Sequence, residues 1–169
     1  MNLAEFKLLL ARFSSAAEAG DGTAFAACFT EDGIYHDYIY GDHQGRDDIA
    51  HMMSHQFHRD AGEGYRWEMF DPMCDGDLAY AWSLSTFIST VPEFAGQRVV
   101  IDGMSRFELK DGLIKDYRES VNGGVAMAQL GVQPERLAKV CAKWGRMLVE
   151  QPETQAFLAR DKGSWKDAG

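Results

Sequence analysis

The 169-residue sequence predicts an α+β fold in which helices come first and a sheet of long, mostly antiparallel strands follows. Three observations lead there. Apolar residues recur every three or four positions as far as Phe57, the period changes to two from Tyr65 to Asn122, and an amphipathic segment opens at Pro134.

Asn2 followed by Glu5 has the spacing of a capping box, and Leu3, Phe6, Leu9, Leu10, Phe13 and Ala17 then form one helical stripe up to Gly20. Asp21-Gly22-Thr23 starts a short second helix whose Phe25, Cys28 and Phe29 share a face, with Glu31-Asp32-Gly33 as its closing turn. A strand is predicted around Ile34 to Tyr38, closed by Gly41. Residues 45–57 read as a third helix: Asp47 and Asp48 lie in the first turn, where the helix dipole favours anions, and Ile49, Met52, Met53 and Phe57 face inward. A polar loop from Arg59 to Gly64 ends this helical part.

Four strands are predicted next, over 65–73, 78–90, 97–109 and 113–122, separated by Asp75-Gly76-Asp77, the loop from Pro92 to Gly96, and Lys110-Asp111-Gly112. Pro134 at a first-turn position opens a closing helix with Leu137, Val140, Cys141, Trp144 and Leu148 on one stripe. Residues 151–169 read as a polar tail with one helical turn around Phe157. No repeat or linker interrupts the chain, so residues 1–150 are expected to form one domain.

Composition narrows the function. With 46% hydrophobic and 12% aromatic residues the chain has ample material for a core. Seventeen basic against twenty-six acidic residues give a formal charge of -9, which repels phosphate backbones and anionic lipid, so neither nucleic acid nor a membrane is an expected partner. Cys28, Cys74 and Cys141 are odd in number, far apart and without Cys/His spacing, which suggests reduced thiols and no structural zinc. No stretch reads as a signal peptide or membrane span, and a cytoplasmic protein is expected.

The order of elements, together with Ala19-Gly20-Asp21, Phe29-Thr30-Glu31-Asp32-Gly33, Gly45-Arg46-Asp47-Asp48-Ile49 and Phe107-Glu108-Leu109-Lys110-Asp111-Gly112-Leu113-Ile114, resembles the nuclear transport factor 2-like superfamily. Within it, the sequence is similar to the SnoaL-like polyketide-cyclase and ketosteroid-isomerase branches. The resemblance covers about residues 3 to 130. It implies a cone: a strongly bent sheet with N-terminal helices closing a deep apolar pocket, in a protein that is often a homodimer through the outer sheet face. It implies much less about activity, because this fold hosts many chemistries.

Taken residue by residue, the isomerase's base matches Asp37, in His36-Asp37 at the end of the first strand. The position of its oxyanion tyrosine holds Phe13, after Arg12, and that of its second oxyanion donor holds Gly103, four residues before Phe107. Asp102 is adjacent but has the opposite strand parity. Removing one oxyanion donor typically costs about 2.7 to 4 kcal/mol of barrier, so the isomerase's known reaction is not expected. Tyr117-Arg118-Glu119 resembles the Trp-Arg-Asp run of limonene epoxide hydrolase, with Glu119 at the carboxylate, but Tyr80 to Ser85 lacks that enzyme's other Asp and its Arg.

If Asp37 and Glu119 face inward, strand alternation turns Tyr35, Tyr117, Val121, Ile101, Gly103, Ser105 and Phe107 inward with them. The expected pocket is apolar and aromatic with two carboxyls, suited to a small apolar ligand and needing no cofactor or metal. Burial and mutual repulsion would separate the two carboxyls into a base, Asp37, and an acid, Glu119, as isomerase, cyclase or dehydratase chemistry requires. Tyr35, Tyr117, Phe13, Ser105 and Phe107 would contact the substrate. The alternative for Glu119 is a structural pair with Tyr35 or Tyr117, and the alternative for the chain is a non-catalytic ligand-binding or dimerisation module. His51, His55 and His58 read as a hydrated helix face. His36 and His43 flank Asp37, where a histidine could relay a proton or cover the pocket mouth, and alternation points His36 outward. Arg106 and Arg118 are also outward, suited to ion pairs with Glu108 or Asp116.

Overall fold

The capping box forms as the sequence requires: Glu5 N–H donates to Asn2 Oδ1 at 3.0 Å and Asn2 N–H to Glu5 Oε2 at 2.9 Å. This starts helix α1, Leu3–Ala19, in a computed structural model that describes residues 1–37, 39–62 and 64–160. Phe6, Leu9, Leu10, Phe13, Ala16 and Ala17 are buried along the helix. Gly20 ends it with φ 65°, and a Cβ there would lie 2.5 Å from the His58 ring, so both conformation and space call for glycine. Asp21 caps α2, Gly22–Ala26, by accepting the Ala24 N–H.

Strand β1, Phe29–Asp37, begins earlier than the sequence suggested. Phe29 belongs to it and not to the second helix, and its ring still reaches the core, 6.1 Å from Phe13. The expected end of this strand, Tyr38, lies outside the described residues. The short strand β2, Gly41–Gln44, turns back antiparallel to β1, an element the sequence reading did not contain. Helix α3, Arg46–His51, passes into a π-helical turn, Met52–Phe57, and on into α4, His58–Ala61, so the expected polar loop is helical as far as Ala61. The wider turn sets consecutive residues Met52 and Met53 both fully in the core.

Four long strands follow: β3 Arg66–Asp75, β4 Leu78–Ile88, β5 Arg98–Lys110 and β6 Leu113–Val121, with a 3₁₀ turn at Pro92–Phe94. The sheet order is β2-β1-β6-β5-β4-β3, all antiparallel except β1 beside β6. Register shifts in β1/β6 after Phe29, in β3 at Asp71 (φ 48°) and in β5/β6 at Glu108 bend this six-stranded sheet. The result is the curved, unclosed sheet of the expected cone. Asn122 caps a further short helix, α5, Gly123–Gln129.

The concave side holds the core. Phe13 is its centre, with the rings of Phe25, Trp67, Tyr117 and Phe107 at 4.6, 4.9, 5.3 and 5.9 Å. The sheet beneath is floored by small residues, Ala79, Ala81, Ser83 and Ser105, all at most 3% exposed, which leaves room for the large rings above them. Trp67 N–H donates to Glu18 Oε1 at 2.8 Å and ties β3 to α1.

The chain forms two compact units, Met1–Gly131 and a second from Val132 onward. The second unit contains α6, Pro134–Glu150, and α7, Pro152–Leu158. Helix α6 is strongly amphipathic, and α7 extends the expected turn at Phe157 to seven residues. No described helix is long and apolar enough to cross a membrane.

Candidate functional site

Strand pairing decides which side chains meet. Tyr35 lies opposite Tyr117 across β1/β6, so two residues further along each strand Asp37 and Glu119 occupy the same inward face. Across β5/β6, Glu119 pairs with Ser105, Tyr117 with Phe107 and Val121 with Gly103, the parity expected from the sequence. The half-buried inward residues Asp37, Glu119, Val121, Ile101, Ser85 and Phe87 gather at one end of the sheet. This is the mouth of the concave side.

The two carboxyls are held differently. Asp37 Oδ1 accepts the N–H groups of Ile39 at 2.6 Å and Tyr40 at 2.8 Å, an Asx-type turn that closes β1. Burial pushes the Asp37 pKa up, while these amides and the nearby His43 hold it down. Glu119 Oε2 accepts from the Tyr117 hydroxyl at 3.0 Å, and that hydroxyl is 3.0 Å from Ser105 Oγ. Because the tyrosine proton goes to the carboxylate, Ser105 donates to Tyr117 and the three form a chain from Ser105 to Glu119. Burial, then the charge of Asp37, raises Glu119 from its ordinary 4.5 to about 7, against the Tyr117 bond.

The residues expected to touch a substrate are all on this side, at different depths. Tyr35 stacks on Tyr117 with ring centroids 4.8 Å apart, and burial followed by the Glu119 charge raises both phenols well above their usual range. Phe13, Ser105, Phe107 and Tyr117 are fully enclosed by neighbouring side chains. Tyr65 lines the same region: it is buried, makes an edge contact with Phe57 at 4.6 Å, and is raised by burial first and by Glu119 second. The Tyr40 hydroxyl donates to Asp60 Oδ2 at 2.8 Å.

Neither of the two oxyanion positions matched to the isomerase carries a polar side chain. At the first, the Phe13 ring offers no hydroxyl. At the second, a Cβ on Gly103 would lie 2.6 Å from Val121 Cγ1 and 3.0 Å from Ser120 O, so a side chain there would displace Val121 and press on the Ser120 carbonyl. Asp102 faces outward beside Trp82, Met104 and Ser120, along a shallow groove on the outer sheet face.

His36 also faces outward: its Nδ1 meets Asp42 Oδ1 at 2.7 Å and its Nε2 meets Asp116 Oδ2 at 3.0 Å. Arg118 Nε binds the other oxygen of Asp116 at 3.0 Å, and Arg106 pairs with Glu108 at 2.5 Å, the ion pairs expected for these arginines. His51 and His55 are exposed and stack at 4.7 Å. No group of three or more His, Cys, Asp or Glu able to hold a metal ion occurs among the described residues. The group that sequence reasoning left unplaced is His43. Strand β2 sets it opposite Tyr35 and therefore inward, and it is only 6% exposed. Gly41 in the hairpin turn was the available signal, but a glycine and three polar residues carry no alternation from which to read a strand.

The sequence model of the SnoaL-like domain matches residues 10–117. The chain belongs to the SnoaL-like family. Solved members of this fold agree in shape. TsrD from Streptomyces laurentii is 17% identical with a TM-score of 0.67, covering 79% of this chain and 99% of its own. A candidate polyketide cyclase from Xanthomonas campestris pv. campestris is 22% identical, TM-score 0.62, covering 77% and 99%. An LEH-like epoxide hydrolase from M. tuberculosis is 18% identical, TM-score 0.61, covering 75% of this chain and 90% of its own. No curated protein matches the sequence. At these identities the SnoaL-like neighbours establish the fold, and the chemistry has to be argued from the side chains.

Proposed function

We propose that this SnoaL-like chain binds a small, largely apolar molecule at the mouth of the cone and moves a proton on it, as isomerases, cyclases and dehydratases do. The observation that carries this reading is the pair of carboxyls on one inward face, Asp37 tied to backbone amides and Glu119 to the Ser105-Tyr117 hydroxyls. Burial raises the Asp37 pKa, the two donated amides favour its carboxylate against that rise, and Oδ2 is left to act as general base. Glu119, lifted to about 7, keeps a proton to donate near neutral pH. Ser105 orients Tyr117, Tyr117 orients Glu119, and the enclosed rings of Tyr35, Phe13 and Phe107 form the apolar wall behind. The same reading takes the protein as a homodimer through the outer sheet face, which sedimentation of the purified chain would test as a doubled mass.

The test is hydrogen-deuterium exchange at C1 of 2-tetralone, an apolar enolisable ketone, followed by proton NMR in D₂O. Wild-type protein should accelerate the exchange, and Asp37→Asn should lose on the order of 10²-fold or more of that rate. The amide oxygen of the introduced asparagine can still accept the Ile39 and Tyr40 N–H groups, so the turn is retained. Equal rates for the two proteins would overturn the proposal. A second reading, a ligand-binding module without turnover, is favoured by Phe13 and Gly103 at the two oxyanion positions. It predicts binding of the ketone with no acceleration.

A further inference from the structure

His43 is a buried polar side chain that the two carboxyls do not account for. Its Nδ1 lies 3.1 Å from Asp48 Oδ1, and Asp48, in the first turn of α3, also accepts the Gln44 N–H through Oδ2 at 3.1 Å. The bond to His43 is the largest influence holding the Asp48 carboxyl below its usual range. An ionised carboxylate only accepts, so Nδ1 carries a hydrogen, and the neutral imidazole in this tautomer has its lone pair on Nε2.

The Asp48 side chain is half exposed, whereas that of His43 is 8% exposed. Nδ1 and Nε2 leave the imidazole ring in divergent directions, so a ring anchored outward at Asp48 turns Nε2 toward the interior. There Nε2 is buried with no hydrogen-bond partner among the described residues. Buried polar groups of native proteins are ordinarily paired, and an unpaired one at a candidate site marks where a ligand atom belongs. The location agrees: β2 sets His43 opposite Tyr35 on the inward face, and Asp37 lies two residues further along β1. His58 Nδ1, also buried and unpartnered, has a packing explanation in the close approach of its ring to Gly20.

We propose that His43 is a third polar contact of the pocket, whose Nε2 accepts a hydrogen bond from a hydroxyl or enol of the ligand. The pocket would therefore select an apolar molecule carrying an O–H donor. This deepens the proposed function and rests on it. Asp48 is then the positioning residue that fixes the tautomer. With Asp37 and Glu119 it completes a division of labour in which the carboxyls exchange the proton and His43 holds the oxygen.

The probes are 2-naphthol and 2-methoxynaphthalene, which share one ring system and differ in the O–H donor. Calorimetry on the wild type should show 2-naphthol bound about tenfold more tightly, the scale of one hydrogen bond. His43→Phe should abolish the preference and His43→Gln, which retains an acceptor, should restore part of it. Measured in Asp37→Asn, persistence of the preference assigns it to His43, and loss assigns it to Asp37 and overturns the inference. In the wild type, the ¹⁵N resonance of His43 Nε2 should move with 2-naphthol and stay with the ether, a readout independent of whether any variant folds. Equal movement with both probes would mean that a buried water occupies Nε2 and would also overturn it. Binding of both probes without preference sinks the role of His43 and leaves the pocket, whereas no binding of either sinks the pocket as well.

Discussion

Replacing Glu119 with glutamine should alter stability only at pH values where the glutamate would ionise. Burial and the Asp37 charge raise the Glu119 pKa from 4.5 to about 7 in the folded chain. Below pH 4.5 the group is protonated folded and unfolded, and it has no linked effect. Between 4.5 and about 7 the unfolded chain releases its proton while the folded chain keeps it. The unfolded state then binds fewer protons, so stability falls as pH rises. At 1.36 kcal/mol per pH unit the window amounts to about 3 kcal/mol, fully lost above pH 7. Glutamine keeps the shape and can still accept from Tyr117, but it has nothing to ionise. Urea unfolding of wild type and Glu119→Gln, run in parallel from about pH 4 to about pH 8, should give a difference that is constant in acid and grows by about 3 kcal/mol in favour of the variant. An Asp37→Asn background should narrow that growth, because the second cause of the raised pKa is gone. A difference that stays flat across the range would refute the placement of Glu119 as a buried carboxyl beside Asp37.

Tyr117→Phe removes the hydroxyl between Ser105 and Glu119. The Glu119 pKa should rise further, seen by carbon NMR titration, and stability should fall by about 1 to 3 kcal/mol as Ser105 loses its buried partner. Gly103→Ala sets a Cβ against Val121 and the Ser120 carbonyl and should cost about 1 to 3 kcal/mol in the same unfolding assay. His36 is held above its ordinary 6.5 chiefly by its bond to Asp116, with Asp42 adding and burial opposing. Its charged form therefore contributes stability that is complete below pH 6.5 and disappears as pH rises through the raised value. His36→Gln should be less stable than wild type near pH 5.5, with the gap closing in alkali.

The two kinds of prediction differ in how they could be reached. That His36 and Asp37 face opposite ways follows from alternation along β1, and that Arg106 and Arg118 face away from Phe107 and Glu119 follows from the same rule on β5 and β6. None of these depends on tertiary contacts. His43 does, because β2 is four residues long and its inward side is defined only by pairing with β1. Phe29 was misplaced for a related reason: an aromatic residue between a helical stripe and a strand fits either, and the backbone pairing with Ile114 decided for the strand. The π-helical turn was equally hidden, since Met52 and Met53 fit an α-helical stripe nearly as well.

Sequence alone determined the α+β class, the capping box of α1 and the long strands. These depend on local periodicity and on chemistry within a few residues. Only the tertiary structure decided what those residues experience. The raised pKa of Glu119 comes from burial and from Asp37, 82 positions away by number. The bond between His36 and Asp116 spans 80 positions, and the unpartnered Nε2 of His43 exists only where a hairpin, a helix terminus and a bent sheet converge. Electrostatics and burial are properties of the assembled interior, and no window of sequence contains them.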